Sequence, residues 1–396
     1  MAVEFIPPWP SFFHRISRKK HNSMSHLIIS SGGTGGHFYP GLSIAREFVS
    51  RGGKVTFLVS GQQCAEQKAT AEKFGLSACE IPSVRAPRTP IEMLLFPFRF
   101  WKCCRAIKSL YRKLNAEAML SMGSFTSVAP CWTWPADKPL ILHEGNTFMG
   151  QANRLFAKKA SAIALTLPLK YSEQLKKTPA RITGMPLREA ILEAAANPPD
   201  DIQRQELLRA FGLSSEKRTL LVFGGSQGAR AIISLVTETM PLIDNLHDKL
   251  QFIILTGADD NSELEKACAD AKFAARIVKK DPDIQKCYQA ADCVLCRAGA
   301  SSICELALFR KPAMLMPLPT AKDNHQFFNA KCLQDANAAR LLVQSETTPE
   351  TLADVIREWL SKTSEWNERA KNLAQFARDN STKDAVDLIQ EVLKEK

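Results

Sequence analysis

The chain lacks any run approaching the ~20 uninterrupted apolar residues of a membrane-spanning helix, so no transmembrane segment is expected. No secretory signal is expected either. The first 23 residues hold three prolines and a basic run from Arg15 to Lys20, but no continuous apolar core and no small-residue cleavage site. Its 11 cysteines, an odd number, follow no spaced framework, and without a signal they read as reduced thiols of a cytosolic protein. No P-loop G-K-[ST] occurs and no glycine turn fits G-x-G-x-x-G well, which disfavours ATP and nicotinamide chemistry. Cys293 and Cys296 form a C-x-x-C with no second pair at zinc spacing. Inside a strand that separation points them to opposite faces, so they are expected in the core, with no metal site and no cofactor. No internal repeat of short period is present.

What the chain does have is length, charge and alternation. Its 396 residues, 45% of them hydrophobic, suffice for two packed cores. A formal net charge of +11 suits an anionic partner: nucleotide phosphates, nucleic acid or an acidic membrane face. Residues 1–24 read as an extension expected to be disordered. Thereafter short apolar runs alternate with longer amphipathic ones, the mark of parallel sheets flanked by helices. The runs at 27–30, 55–59, 118–122, 140–143 and 162–165 predict strands of a first domain, residues 25–187. Those at 220–224, 252–255, 293–296 and 313–317 predict a second, 188–365, with helices at 366–396 expected to pack back on the first. The predicted fold class is α/β, with two Rossmann-like parallel-sheet domains facing a cleft, each binding a ligand beyond the carboxyl ends of its strands.

Three glycine turns occupy such ends. Gly32-Gly33-Thr34-Gly35-Gly36-His37 follows the first strand and precedes a helix expected to start near Pro40. Glycines there let backbone N–H groups approach an anion at the helix N-terminus. Gly224-Gly225-Ser226-Gln227-Gly228 repeats the arrangement in the second half. Arg297-Ala298-Gly299-Ala300-Ser301-Ser302-Ile303-Cys304-Glu305 forms the third, with Glu305 suited to sugar hydroxyls rather than to phosphates, which would repel it. Asp281-Pro282-Asp283 spells D-x-D, but its central proline marks a helix-starting turn rather than a metal-holding pair.

The segments GGTGGHFYPGLSIA (32–45), HEGN and GQANR (143–154), TGMPLR (183–188), GGSQGAR (224–230), RAGASSICE (297–305) and DNHQFFNA (323–330) occur in order. In this the chain resembles the MurG family, N-acetylglucosaminyltransferases of the two-domain GT-B fold. The resemblance covers nearly everything after Met24. It implies inverting transfer of N-acetylglucosamine from UDP-GlcNAc to the C4 hydroxyl of the muramyl unit of lipid I, giving lipid II for peptidoglycan. It also implies a peripheral protein on the cytoplasmic face of the inner membrane, with no nucleic-acid partner and with other cell-wall synthesis proteins as companions. Carried over by position, Thr34, Gly35 and Gly36 would lie against sugar nucleotide and acceptor pyrophosphate, and Asn146 against the donor sugar. Arg188 and Ser226 would hold the diphosphate. Ala300, Ser301, Ser302 and Ile303 would line the nucleotide, Glu305 would bind ribose, and His325 and Gln326 the glucosamine hydroxyls. Gly145, Met185 and the Lys280-Asp281-Pro282 segment depart from the family pattern.

Glycosyl transfer needs a base for the acceptor hydroxyl. His37 suits that role near neutral pH, or else it only bonds a loop carbonyl or a pyrophosphate; Glu144 is the fallback base. Residues 91–114 gather Leu94, Leu95, Phe98 and Trp101 beside six Lys and Arg, a composition fit for an anionic membrane interface or for a core helix with a basic edge. Trp132 and Trp134 are expected to join this patch. The rival readings are a UDP-sugar epimerase or lipid galactosyltransferase of the same fold, and a non-catalytic UDP-GlcNAc sensor.

Overall fold

The computed structural model describes residues 25–32, 35–82, 87, 89–224 and 230–395. The 1–24 extension, Thr34 and Ser226 lie outside the described residues. The chain forms two compact units, one running through Arg188 and completed by Asn380–Lys396, the other spanning Glu189–Asp379.

The first unit is a seven-stranded sheet of β1 (His26–Ser30), β2 (Lys54–Val59), β3 (Ser77–Glu80), β4 (Ala118–Ser121), β5 (Leu140–Glu144), β6 (Ala162–Leu165) and β7 (Ala180–Ile182). Its order is β3-β2-β1-β4-β5-β6-β7, with every neighbouring pair parallel. Helices cover both faces, so β1, β4, β5 and β6 are buried at every position and read as continuous apolar runs. Alternate side chains feed two cores. Leu27 and Ile29 join Phe38, Ile44 and Phe48 on one face, while Ile28 joins Met119, Ile107 and Tyr111 on the other.

The second unit repeats the plan with β8 (Arg218–Phe223), β9 (Leu250–Leu255), β10 (Ala275–Val278), β11 (Cys293–Cys296), β12 (Ala313–Leu315) and β13 (Arg340–Leu341), in the order β10-β9-β8-β11-β12-β13 and again parallel. In each sheet the order reverses beside the first strand, at β1/β4 and β8/β11, the crevice where such sheets hold ligands. Cys293 and Cys296 are both fully buried in β11.

The last segment departs from expectation. Helix Thr363–Ala374 stays in the second unit, where Trp366 is fully buried in the core, and only from Asn380 does the chain return to the first. There Ala385, Val386, Leu388, Ile389 and Val392 of helix Ser381–Lys394 complete one of the two cores. Arg181 grips Glu391 at 2.6 Å, Arg51 pairs with Asp387, and the buried Ser381 hydroxyl donates to the Met185 carbonyl at 2.7 Å.

Candidate active site

The turn after β1 is shaped by crowding. A Cβ on Gly32 would lie 2.9 Å from both the Ser60 carbonyl oxygen and Thr126 Oγ1, so no larger residue fits without displacement. The next helix runs Gly35–Ser50 and so starts ahead of Pro40, which it contains. Gly35, Gly36 and His37 therefore form its first turn instead of a preceding loop, a correction to the expected boundary. His37 Nδ1 lies 2.8 Å from the Met122 carbonyl oxygen. A carbonyl can only accept, so Nδ1 carries the proton and the neutral ring has its lone pair on Nε2.

Opposite stands a loop that sequence reasoning missed. After β4, Gly123 has φ 88° and Ser124 has φ 68° and ψ 166°, a region that side chains rarely adopt and that concentrates at functional sites. Ser124 Oγ donates to the Gly32 carbonyl at 3.3 Å and lies 2.6 Å from Thr126 Oγ1, tying the two glycine turns together. A Cβ on Gly123 would stand 3.5 Å from Asn153 Nδ2 and 3.7 Å from His37 Cε1. The available signal was a Gly-Ser pair directly after a strand beside the order reversal.

β5 ends in His143 and Glu144. Glu144 is buried, and each carboxylate oxygen takes two donors. Oε1 accepts from Asn146 N at 3.0 Å and Asn146 Nδ2 at 3.2 Å, while Oε2 accepts from Gly150 N and Asn153 Nδ2, both at 2.9 Å. Burial pushes its carboxyl pKa up while these four bonds pull it back. Such a group organises the loop that carries Asn146. His143 is also buried. Desolvation first, and then the neighbouring His37, lower it to about 4, so it is neutral at pH 7.

In the second unit Gly299 caps helix Ala300–Phe309, and Ala300, Ser301, Ser302 and Ile303 make up its first turn, where N–H groups and the helix dipole favour an anion. Glu305 Oε2 accepts from the buried Tyr288 hydroxyl at 2.8 Å. Two buried groups hold this turn. Arg297 Nη1 donates to the carbonyls of Met316 and Pro317 and to Gln344 Oε1, and Asn329 Nδ2 donates to the Ala298 carbonyl at 3.1 Å. His325 and Gln326 open helix His325–Asp335 after two left-handed residues, Asp323 and Asn324. Gln326 Oε1 accepts from Leu318 N at 3.0 Å, and His325 Nδ1 lies 2.7 Å from the Lys322 carbonyl. Asp281 and Asp283 each pair with a cation of their own, Arg276 and Lys286, both at 2.9 Å, and Asp283 immediately precedes helix Ile284–Ala290. Arg188 is exposed where the first unit ends, just beyond Leu187, whose carbonyl accepts from Ser43 Oγ, and the buried Met185.

Helix Pro90–Leu114 opens with a Thr89/Glu92 capping box and is pinned by Cys103, Ile107 and Tyr111. Its first half presents Leu94 81%, Phe98 64% and Trp101 56% exposed, with Leu95 beside them and Arg105 over the Trp101 ring. Trp132 adds to this face, but Trp134 does not. It is buried, with Nε1 donating to the Pro139 carbonyl at 2.9 Å.

The glycosyltransferase family 28 N-terminal domain matches residues 27–165, and the family 28 C-terminal domain matches 219–389. The UDP-N-acetylglucosamine–N-acetylmuramyl-(pentapeptide) pyrophosphoryl-undecaprenol N-acetylglucosamine transferase of Elusimicrobium minutum is 32% identical over 355 residues, 89% of this chain and 92% of that one. This chain belongs to the MurG family of glycosyltransferases. The Desulforamulus reducens protein of the same name is 30% identical over 92% of this family member and 98% of its own length. The crystal structure of Acinetobacter baumannii MurG superposes with a TM-score of 0.74 at 25% identity, over 93% of this chain and 99% of that one. A putative UDP-N-acetylglucosamine 2-epimerase from Listeria monocytogenes, at 14% identity and TM-score 0.66, shares the MurG fold alone.

Proposed function

We propose that this chain transfers N-acetylglucosamine from UDP-GlcNAc to the C4 hydroxyl of a lipid-linked muramyl pentapeptide, lipid I, making lipid II. The observation that carries the reading is His37, held by its Nδ1–H on the Met122 carbonyl beside the β1/β4 reversal and ringed by glycine turns. In that tautomer Nε2 takes the acceptor proton as the hydroxyl attacks the anomeric carbon, and UDP leaves with inversion. Thr34, Gly35 and Gly36 contact the pyrophosphates, and Asn146, held by Glu144, contacts the donor sugar. Arg188, Ser226 and the first turn of Ala300–Phe309, Ala300 to Ile303, steady the departing diphosphate. Glu305 accepts from ribose, and His325 and Gln326 from the sugar hydroxyls. Leu94, Leu95, Phe98 and Trp101 enter the interface of an anionic membrane where the acceptor resides, and the basic second half of their helix faces lipid phosphates. The protein is then peripheral on the cytoplasmic face of the inner membrane.

The test incubates the protein with labelled UDP-GlcNAc and a soluble lipid I analogue. Label should pass to the acceptor. Nucleotide binding without transfer would overturn the reading, and a free epimerised sugar nucleotide would replace it with the epimerase.

A further inference from the structure

We infer that the first unit holds a separate subsite for the peptide borne by the acceptor sugar, in the cavity beside helix Gln151–Phe156; this rests on the acceptor reading above. The cavity is an open depression of about 440 Å³, suited to an extended chain lying along the surface rather than to an enclosed ligand. Its walls are Gln151, Arg154 and Leu155 from that helix and Glu173, Gln174 and Lys176 from the turn after β6.

Helical geometry relates it to the reaction centre. At 100° per residue, positions 151, 154 and 155 fall on one side of the helix, and 153 on the opposite side. Asn153 points inward to Glu144 and the Gly123–His37 pair, so the cavity lies about one helix diameter, ~10–12 Å, behind the acceptor site. Five extended residues reach about 17 Å, enough to leave a sugar at His37 and round the helix. The two sites also share an anchor. Glu144 Oε2 holds Gly150 N, directly ahead of Gln151, and Gln174 Oε1 holds Met149 N at 3.0 Å.

The lining chemistry selects a peptide over a bare anion. Lys176 matches a carboxylate, the Gln174 amide nitrogen matches a peptide carbonyl, and Leu155, 56% exposed, matches small apolar side chains, while Arg154 lies over the Phe148 ring and lends positive charge to the rim. Glu173 would repel a phosphate but welcomes an ammonium group. Lys176 and Lys177 stand in the left-handed region at φ 54° and 68°, an unfavourable pair of conformations held where Lys176 faces the cavity.

The experiment compares two lipid I analogues, one with the five-residue peptide and one without it, as kcat/KM ratios. The wild type should favour the full peptide about tenfold. Lys176→Glu and, separately, Gln151→Ala should shrink that ratio towards one, whereas Lys176→Arg should keep it. Calorimetric binding of the free pentapeptide should be lost in Lys176→Glu. No preference in the wild type, or a preference that survives both Lys176→Glu and Gln151→Ala, would overturn the subsite. Competition by inorganic phosphate or phosphatidylglycerol vesicles that depends on Lys176 would also overturn it, in favour of an anion site. Absence of transfer to either analogue would instead overturn the transferase reading, and the subsite with it.

Discussion

Acid should loosen the first unit through His143, and the size of the effect follows from its surroundings. The ring is buried beside β6, with Thr166 Oγ1 3.4 Å from Nε2, and its pKa falls from the ordinary 6.5 to about 4. In the unfolded chain the same ring titrates near 6.5, so between pH 6.5 and 4 the unfolded state binds more protons. Stability is therefore complete above pH 6.5 and lost as pH falls toward 4. At 1.36 kcal/mol per unit the full loss is about 3 kcal/mol, of which about 2 kcal/mol is expressed at pH 5. His143→Gln removes the titration while keeping a polar group near Thr166. Urea unfolding of the first unit's transition, run on both proteins at pH 5 and pH 7.5, isolates the term, since His26 and every carboxylate titrate alike in the two. The wild type should lose about 2 kcal/mol more than the variant on acidification. Equal acid sensitivity would refute the claim that this histidine is held neutral. A neutral His143 matters for the chemistry because a second positive charge beside His37 would oppose proton uptake there.

Other expectations concern the same unit. His37→Ala should cut kcat by roughly 10²–10⁴-fold in the lipid I assay, and near-normal turnover would exclude it as the base. Gly32→Ala forces a methyl group against Ser60 O and Thr126 Oγ1 at 2.9 Å and should cost about 1–3 kcal/mol, read as a Tm several degrees lower. An unchanged Tm would show that the turn yields freely. Phe98→Asp combined with Trp101→Asp should sharply weaken co-sedimentation with anionic vesicles; undiminished binding would remove the membrane role of this helix.

How much of this was legible in the sequence depends on burial. The nine strands that pattern reading found lie inside the two sheets, where both faces are covered and runs such as Leu27–Ile29 or Cys293–Cys296 are apolar throughout. The four it missed, Ser77–Glu80, Ala180–Ile182, Ala275–Val278 and Arg340–Leu341, are the four sheet edges. Edge strands are short and half-buried, and they carry residues such as Glu80, Arg181 and Arg276 that blur the signal. The turn at Gly299 was legible because it follows an apolar strand directly, whereas the 225–229 turn lies outside the described residues. Ser124 was not, since nothing in a serine announces a glycine-like backbone. The four donors around Glu144 were not legible either, since they come from backbone and side chains of a loop whose path the sequence does not give. The Trp366 helix was assigned to the wrong unit because an amphipathic helix does not say which core its apolar face fills.

The return of helix Ser381–Lys394 has a consequence for synthesis. Multi-unit chains usually fold from the N-terminus as they leave the ribosome. Here one core of the earlier unit lacks Val386, Leu388 and Ile389 until the whole of the later one has been made. The order of completion is thus inverted: the contiguous unit can mature first, while the discontinuous one waits with apolar surface uncovered. A nonsense mutation at Asn380 would spare the unit assigned to the nucleotide and cripple the one that carries His37.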